Sequence, residues 1–150
     1  ELSQDIQLEI WEKFVIVSVT LGLAALTRLP LGPLFACAPT AALARGLMQE
    51  VASVARAKGI PLSADAAERL FVWLRGLAEA NPAARGSMYI DLAEGRRLEL
   101  EAINGAVIRM GREVDLPTPL NFAVYAALKP YADGALTIAP NAASPRREVR

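Results

Sequence analysis

Residues 14–26 read FVIVSVTLGLAAL and carry no charge, and this run limits the chain's possible folds more than any other stretch. A segment of that kind has to be buried, either in a bilayer or inside a protein. A helix crossing a membrane needs roughly 20 predominantly apolar residues. Here Glu9, Glu12 and Lys13 precede the run, and Arg28, Pro30 and Pro33 close it. The pattern predicts a helix over 4–26, with Ser3 as N-cap and Asp5 in its first turn, buried on most sides by other helices. A secretory signal does not fit, because charges precede the apolar run and no suitable cleavage site follows it.

The rest of the chain supplies those other helices. A proline-punctuated connector is expected over 29–39. Thr40 is then read as the cap of a helix through Ala57, stopped by Gly59 and Pro61. Ser63 is read as the cap of the next helix, through Glu79, with Leu70, Trp73, Leu74 and Leu77 inward and Asn81-Pro82 ending it. A short helix from Ser87 leads to Gly95. A longer one spans 99–114, where Leu100, Ile103, Val107, Met110 and Val114 recur at helical spacing. Thr118-Pro119 open the last helix, which runs through Tyr131. The expectation is an all-α fold of six to seven helices in one domain, 1–134, followed by a loosely held tail, 135–150. Neither a strand pattern nor an internal repeat is visible.

Composition narrows the function. Sixteen basic and sixteen acidic residues cancel, so no nucleic-acid partner is indicated. Apolar residues make up 53%, a surplus that points to a buried interface as well as a core, and hence to a homodimer. Cys37 stands alone, so an internal disulfide is excluded; it fits a reducing compartment and reads as a small buried hydrophobe. Without histidine, acid/base work falls to Lys, Glu, Asp or Tyr, and most zinc sites are excluded. Neither G-x-G-x-x-G nor a P-loop occurs, so the chain shows no phosphate cradle of its own. It starts at Glu1 without methionine, which reads as a processed or excised piece of something longer.

Three polar residues stand out against this background. Glu99 and Asn104 border the apolar stripe of the 99–114 helix, where a carboxylate or an amide needs a partner. Asn104-Gly105 would also normally signal a turn, yet the helical period runs through it. Lys13 sits on a face with Ile6, Ile10, Ile16, Val17 and Thr20. A structural reading stays open for each charge: Glu9 lies four residues before Lys13 in ion-pair register, and carboxylates are common at helix starts.

The order S-M-x-x-D-L-x-x-G-R-x-x-E-x-x-x-I-N-G from Ser87 to Gly105, followed by P-T-P-x-N from Pro117 to Asn121, resembles the carboxy-terminal domain of the ketopantoate reductase family. Trp11, Glu12 and Lys13 match its W-x-K, and Gly32 falls in step. The resemblance implies a helical domain like the C-terminal domains of that family and of 6-phosphogluconate dehydrogenase. It implies a Rossmann domain ahead of the chain that holds most of the NADPH, and a cytoplasmic enzyme of pantothenate biosynthesis reducing a 2-oxo acid, with no membrane association. It makes Lys13 the general acid, Glu99 its active-site partner or a ligand for a substrate hydroxyl, and Ser87 and Asn104 substrate ligands. Val17, Leu21, Ala84 and Leu31 stand where family members often carry asparagine, so a second reading has a more apolar oxo acid as substrate. A third is a non-catalytic helical dimerisation module. The enzyme readings require Lys13 and Glu99 to meet at one open cleft.

Overall fold

The apolar run does form a helix, though not a uniform one. The structure, a computed structural model, describes residues 2–134, with side chains from residue 6 onward. Helix α1 (Leu2–Val17) passes into a π-helical segment, Ser18–Leu23, and then into α2 (Ala24–Thr27). The helix is already formed at Leu2, so Ser3 lies inside it instead of capping it. Two hydroxyls turn back onto the preceding turn where the helix widens: Ser18 Oγ donates to Val15 O (2.8 Å) and Thr20 Oγ1 to Ile16 O (3.3 Å). Such back-bonding competes with the regular ladder, and single π turns of this kind often mark functional sites. The stretch Ile6–Thr27 is long and apolar enough to cross a membrane by length and composition alone. Here one face, through Val15, Val19, Leu23, Ala24 and Ala25, is sealed against other helices, while Ile6 and Ile10 on the first turns stay exposed.

The expected connector contains a helix of its own, α3 (Leu31–Ala36), which buries Leu34 and Phe35. Its first amides are satisfied from a distant loop: Leu31 N–H donates to Ala84 O (2.9 Å) and Gly32 N–H to Pro82 O (3.1 Å). A Cβ on Gly32 would fall on the Pro82 backbone, so this close approach requires glycine.

Helix α4 (Ala38–Ala57) is the central element, packing on α1, α3, α5 and α8. Its buried face runs through Ala44, Leu47, Met48, Val51, Ala52 and Ala55, a wide stripe at steps of three and four. The N-cap is Cys37 rather than Thr40, whose hydroxyl instead bonds backward to the carbonyls of Leu34 and Cys37. Cys37 is exposed, not the buried hydrophobe expected, because it occupies the corner between α3 and α4. Gly59 ends α4 as anticipated. At φ 84° it lets Ile60 N–H reach Ala55 O (3.0 Å) while its own N–H meets Arg56 O (2.9 Å), which is a Schellman closure.

Helix α5 (Ala66–Ala80) is entered from Asp65, not Ser63. The stripe meeting its neighbours is Ala67, Leu70, Phe71, Leu74 and Ala78. Trp73 and Leu77 lie one step round the helix and remain 54% and 45% exposed, so they are not the inner residues expected. Helix α6 (Ser87–Ala93) closes on Gly95 (φ 65°) in the same way as α4. Arg96 N–H bonds Asp91 O, and the Arg96 guanidinium bonds the Asp91 carboxylate, both at 2.8 Å. The ordered D-L-x-x-G-R is therefore a helix stop.

The expected helix over 99–114 is two pieces, a 3-10 turn at Glu99–Glu101 and α7 (Asn104–Glu113). Ile103, at φ −101° and ψ −93°, breaks the path, so Asn104-Gly105 opens a helix instead of interrupting one. Helix α8 (Pro119–Leu128) and a 3-10 turn, Lys129–Tyr131, finish the fold. Among the described residues there is no strand, and the all-α expectation holds. The tail assigned to 135–150 lies outside the described residues.

Candidate active site

Helix α1 and the turn leading into α7 face each other across an open cleft of about 620 Å³. One wall is formed by Ile10, Lys13, Phe14 and Val17 of α1 and by Leu21 of the π segment, spaced as one helix face. Glu99, Ile103, Ala106 and Met110 form the opposite wall at the same spacing. Trp11 borders the cleft beside Phe14, their rings edge to face with centroids 5.6 Å apart. The ammonium of the first helix and the carboxylate that precedes α7 thus share one hollow, although 85 residues of chain lie between positions 13 and 99.

Both charges are uncommitted. Among the described residues neither Lys13 nor Glu99 takes part in an ion pair or a side-chain hydrogen bond. The intrahelical pairing of Lys13 with Glu9 does not form either, and Glu12 bonds Arg69 across to α5 at 2.5 Å. Glu101, two residues on in the same turn, behaves differently. Glu101 accepts the Tyr125 hydroxyl (2.7 Å) and the Lys129 ammonium, while Arg109 reaches its backbone carbonyl (3.0 Å). Those bonds, from Lys129 first and then Tyr125, hold the Glu101 carboxyl below the usual carboxylate range and raise Lys129. The 3-10 turn is therefore pinned through Glu101 while Glu99 stays available to a ligand. Glu99 also borders a smaller hollow of about 300 Å³ that contains Arg97 and Lys129.

The family model described as "Ketopantoate reductase PanE/ApbA C terminal" matches residues 5–132. This chain belongs to that family. A 2-dehydropantoate 2-reductase of Halobacterium salinarum is 34% identical over 115 residues, 76% of this chain and 36% of the relative. Among solved structures, a ketopantoate reductase from Ralstonia eutropha JMP134 matches with a TM-score of 0.72 at 33% identity, over 81% of this chain and 40% of its own. The dimeric ketopantoate reductase of Staphylococcus aureus matches at 0.75 and 30%, over 85% and 43%. The chain thus spans less than half the length of each relative, and corresponds to the helical C-terminal domain of a ketopantoate-reductase-family oxidoreductase.

Two other residues that the family resemblance singled out stand elsewhere. Ser87 is exposed at the start of α6 and does not line the cleft. It follows Gly86, whose missing Cβ admits the Thr20 carbonyl of the π segment, next to Leu21 on the cleft wall. Asn104, expected among the substrate ligands, has no exposed surface and does not line the cleft. Its Nδ2 donates to Asn121 Oδ1 (3.0 Å), and its Oδ1 packs where a side chain on Gly22 would stand. Arg28, which closes the apolar run, ends α2 at φ 54° beside Tyr89 and Leu92, off the cleft.

Glu50 is the residue that sequence reasoning missed. Its carboxylate accepts Leu120 N–H (2.8 Å) and Asn121 N–H (2.9 Å), and also the Asn121 side-chain amide (2.8 Å). Pro119 has no N–H to offer at the start of α8, so one carboxylate on α4 satisfies both free donors of that turn. The family's P-T-P-x-N is thus a helix start capped from across the fold. The chain Glu50–Asn121–Asn104 ties α4, α8 and α7 to the π segment of the cleft wall.

Proposed function

We propose that this chain is the substrate-binding half of a cytoplasmic, nicotinamide-dependent reductase that converts the ketone of a 2-oxo acid to the corresponding alcohol. The relatives' names point to 2-dehydropantoate as the reference substrate. The observation that carries the reading is that Lys13 and Glu99, neither paired among the described residues, line one apolar cleft. The bound cofactor, with NADPH the first to assay against NADH, would supply the hydride. These residues do not fit it on their own, since the sequence holds no phosphate-binding glycine loop. A Rossmann domain, for which the greater length of the relatives leaves room, is the proposed holder.

Negative charge grows on the ketone oxygen as its carbon is reduced. A positioned ammonium stabilises that charge and then gives its proton to the oxygen, leaving a neutral Lys13 that takes a proton back from solvent. Glu99, on the facing wall, is the proposed partner that holds the substrate or the Lys13 ammonium in place during the transfer. Ser87, at the start of α6 beside Leu21 and outside the cleft lining, is the proposed contact for a substrate carboxylate that reaches past the Leu21 end of the wall. A scaffold without chemistry would have no need of an unpaired charge on each wall of an apolar cleft.

The test is steady-state reduction by the full-length protein. Lys13→Ala should lower kcat by at least about a hundredfold, the scale of general-acid catalysis. A loss under threefold removes Lys13 from the reaction. Light scattering should give a dimer, as in the S. aureus relative; a monomer at high concentration would refute that part.

A further inference from the structure

Among the described residues no side-chain bond holds Glu99 over the cleft, yet the turn that carries it is tied down on both sides. Before it, Leu98 is buried and its N–H donates to Ala132 O (2.9 Å). After it, Leu100 is fully buried, and the Glu101 carboxylate accepts the Tyr125 hydroxyl (2.7 Å) and the Lys129 ammonium. Both ties run to one stretch of chain, the end of α8 and the 3-10 turn that follows it. Gly105 leaves room for the second tie: a Cβ there would stand 2.9 Å from Glu101 Oε2 and 3.2 Å from the Tyr125 ring. Glu101 borders the smaller hollow and does not line the cleft, so it acts on a substrate there only through the turn. Its side chain is half exposed, and ion pairs in such a place add little to stability. What they fix is a location, with Glu99 the exposed residue between two buried leucines.

Resting on the proposed reduction, we infer that Glu101 is a positioning residue: clamped by Tyr125 and Lys129, it holds the turn so that Glu99 meets the substrate or the Lys13 ammonium in the cleft. A misplacement of about 1 Å can cost up to about a hundredfold in rate, far more than the same bonds contribute to the fold.

A double-mutant cycle tests this in the full-length protein, with 2-dehydropantoate as substrate and saturating NADPH. Glu101→Ala should lower kcat/KM by about tenfold while the thermal melt barely moves. The loss should fall on the same parameter, kcat or KM, that Glu99→Ala changes. Glu101→Gln, which keeps an acceptor for Tyr125, should recover most of it. In a Glu99→Ala background, Glu101→Ala should cost less than about twofold, since nothing is left to position. Tyr125→Phe removes one hydroxyl and keeps the ring; it should repeat the pattern on a scale of about threefold, and it carries the test if Glu101→Ala unfolds. A loss of equal size in both backgrounds overturns the inference and leaves the reductase standing, as does wild-type turnover by Glu101→Ala and Tyr125→Phe. Full turnover by Glu99→Ala removes Glu99 from the proposed reaction, and no turnover by the wild type removes the reaction itself; the inference falls with either.

Discussion

Asp115 shows what a single residue can cost where glycine is absent. It sits at φ 55° just past α7, with Leu116 N–H bonded to Gly111 O (2.8 Å), the position glycine holds after α4 and α6. A left-handed conformation costs an ordinary residue about 1–2 kcal/mol, and aspartate somewhat less. Asp115→Gly should therefore stabilise the fold by about 0.5–1 kcal/mol, or raise Tm by about 1–4 °C. A lower Tm would mean that the carboxylate makes a contact worth more than the strain. Glu101 sets an acid limit of its own. Its carboxyl is held below the usual range by Lys129 and Tyr125, so its contribution is present above the ordinary carboxylate pKa and is lost as pH falls through the lowered value. Because the group is exposed, the effect is small and screened by salt. Glu101→Gln should flatten the acid limb of a stability–pH curve slightly, whereas a steeper limb would contradict the assignment.

Elements whose ends are set locally could be read from the sequence, and elements set by distant contacts could not. Gly59 and Gly95 stop their helices through bonds made within a few residues, and Pro119 starts α8 by lacking a donor, so their meaning is visible in the chain. The break at Ile103 is not, because the stripe Leu100–Ile103–Val107 keeps its period across it. The apolar side chains of Trp73 and Leu77 fit a core pattern, but the face that α4 meets lies one step round α5. At the site, the cleft's charges were legible in the ordered pattern around Lys13 and Glu99. The burial of Asn104 depends on Asn121 and Gly22, which only the folded chain brings together. Glu50 is the clearest case, a carboxylate 70 residues from the helix it caps. Its two bonds to backbone donors are charge-assisted, so Glu50→Ala should cost about 2–3 kcal/mol in denaturant unfolding. Glu50→Gln, which keeps one acceptor oxygen, should fall between. A loss below about 0.5 kcal/mol for the alanine variant would mean that water caps α8 equally well.

For the whole molecule, the cleft positions chemistry that the chain cannot complete by itself. It holds an ammonium and a carboxylate on elements anchored to a common core, but the sequence provides no phosphate cradle, and the reported relatives are about twice as long. Binding and turnover should therefore separate in this chain. Trp11 borders the cleft, while the other tryptophan, Trp73, stands exposed on α5. Trp73→Phe would leave Trp11 emission as a probe of the cleft alone. Titrating a 2-oxo acid into that variant should change the emission saturably, while NADPH absorbance stays constant with any acid. Steady NADPH oxidation by the 150-residue chain would mean that it holds cofactor unaided, against the division of labour proposed. Flat emission through millimolar acid would place acid binding, too, under the control of the cofactor domain, with the apolar walls closing on substrate only when that domain covers them.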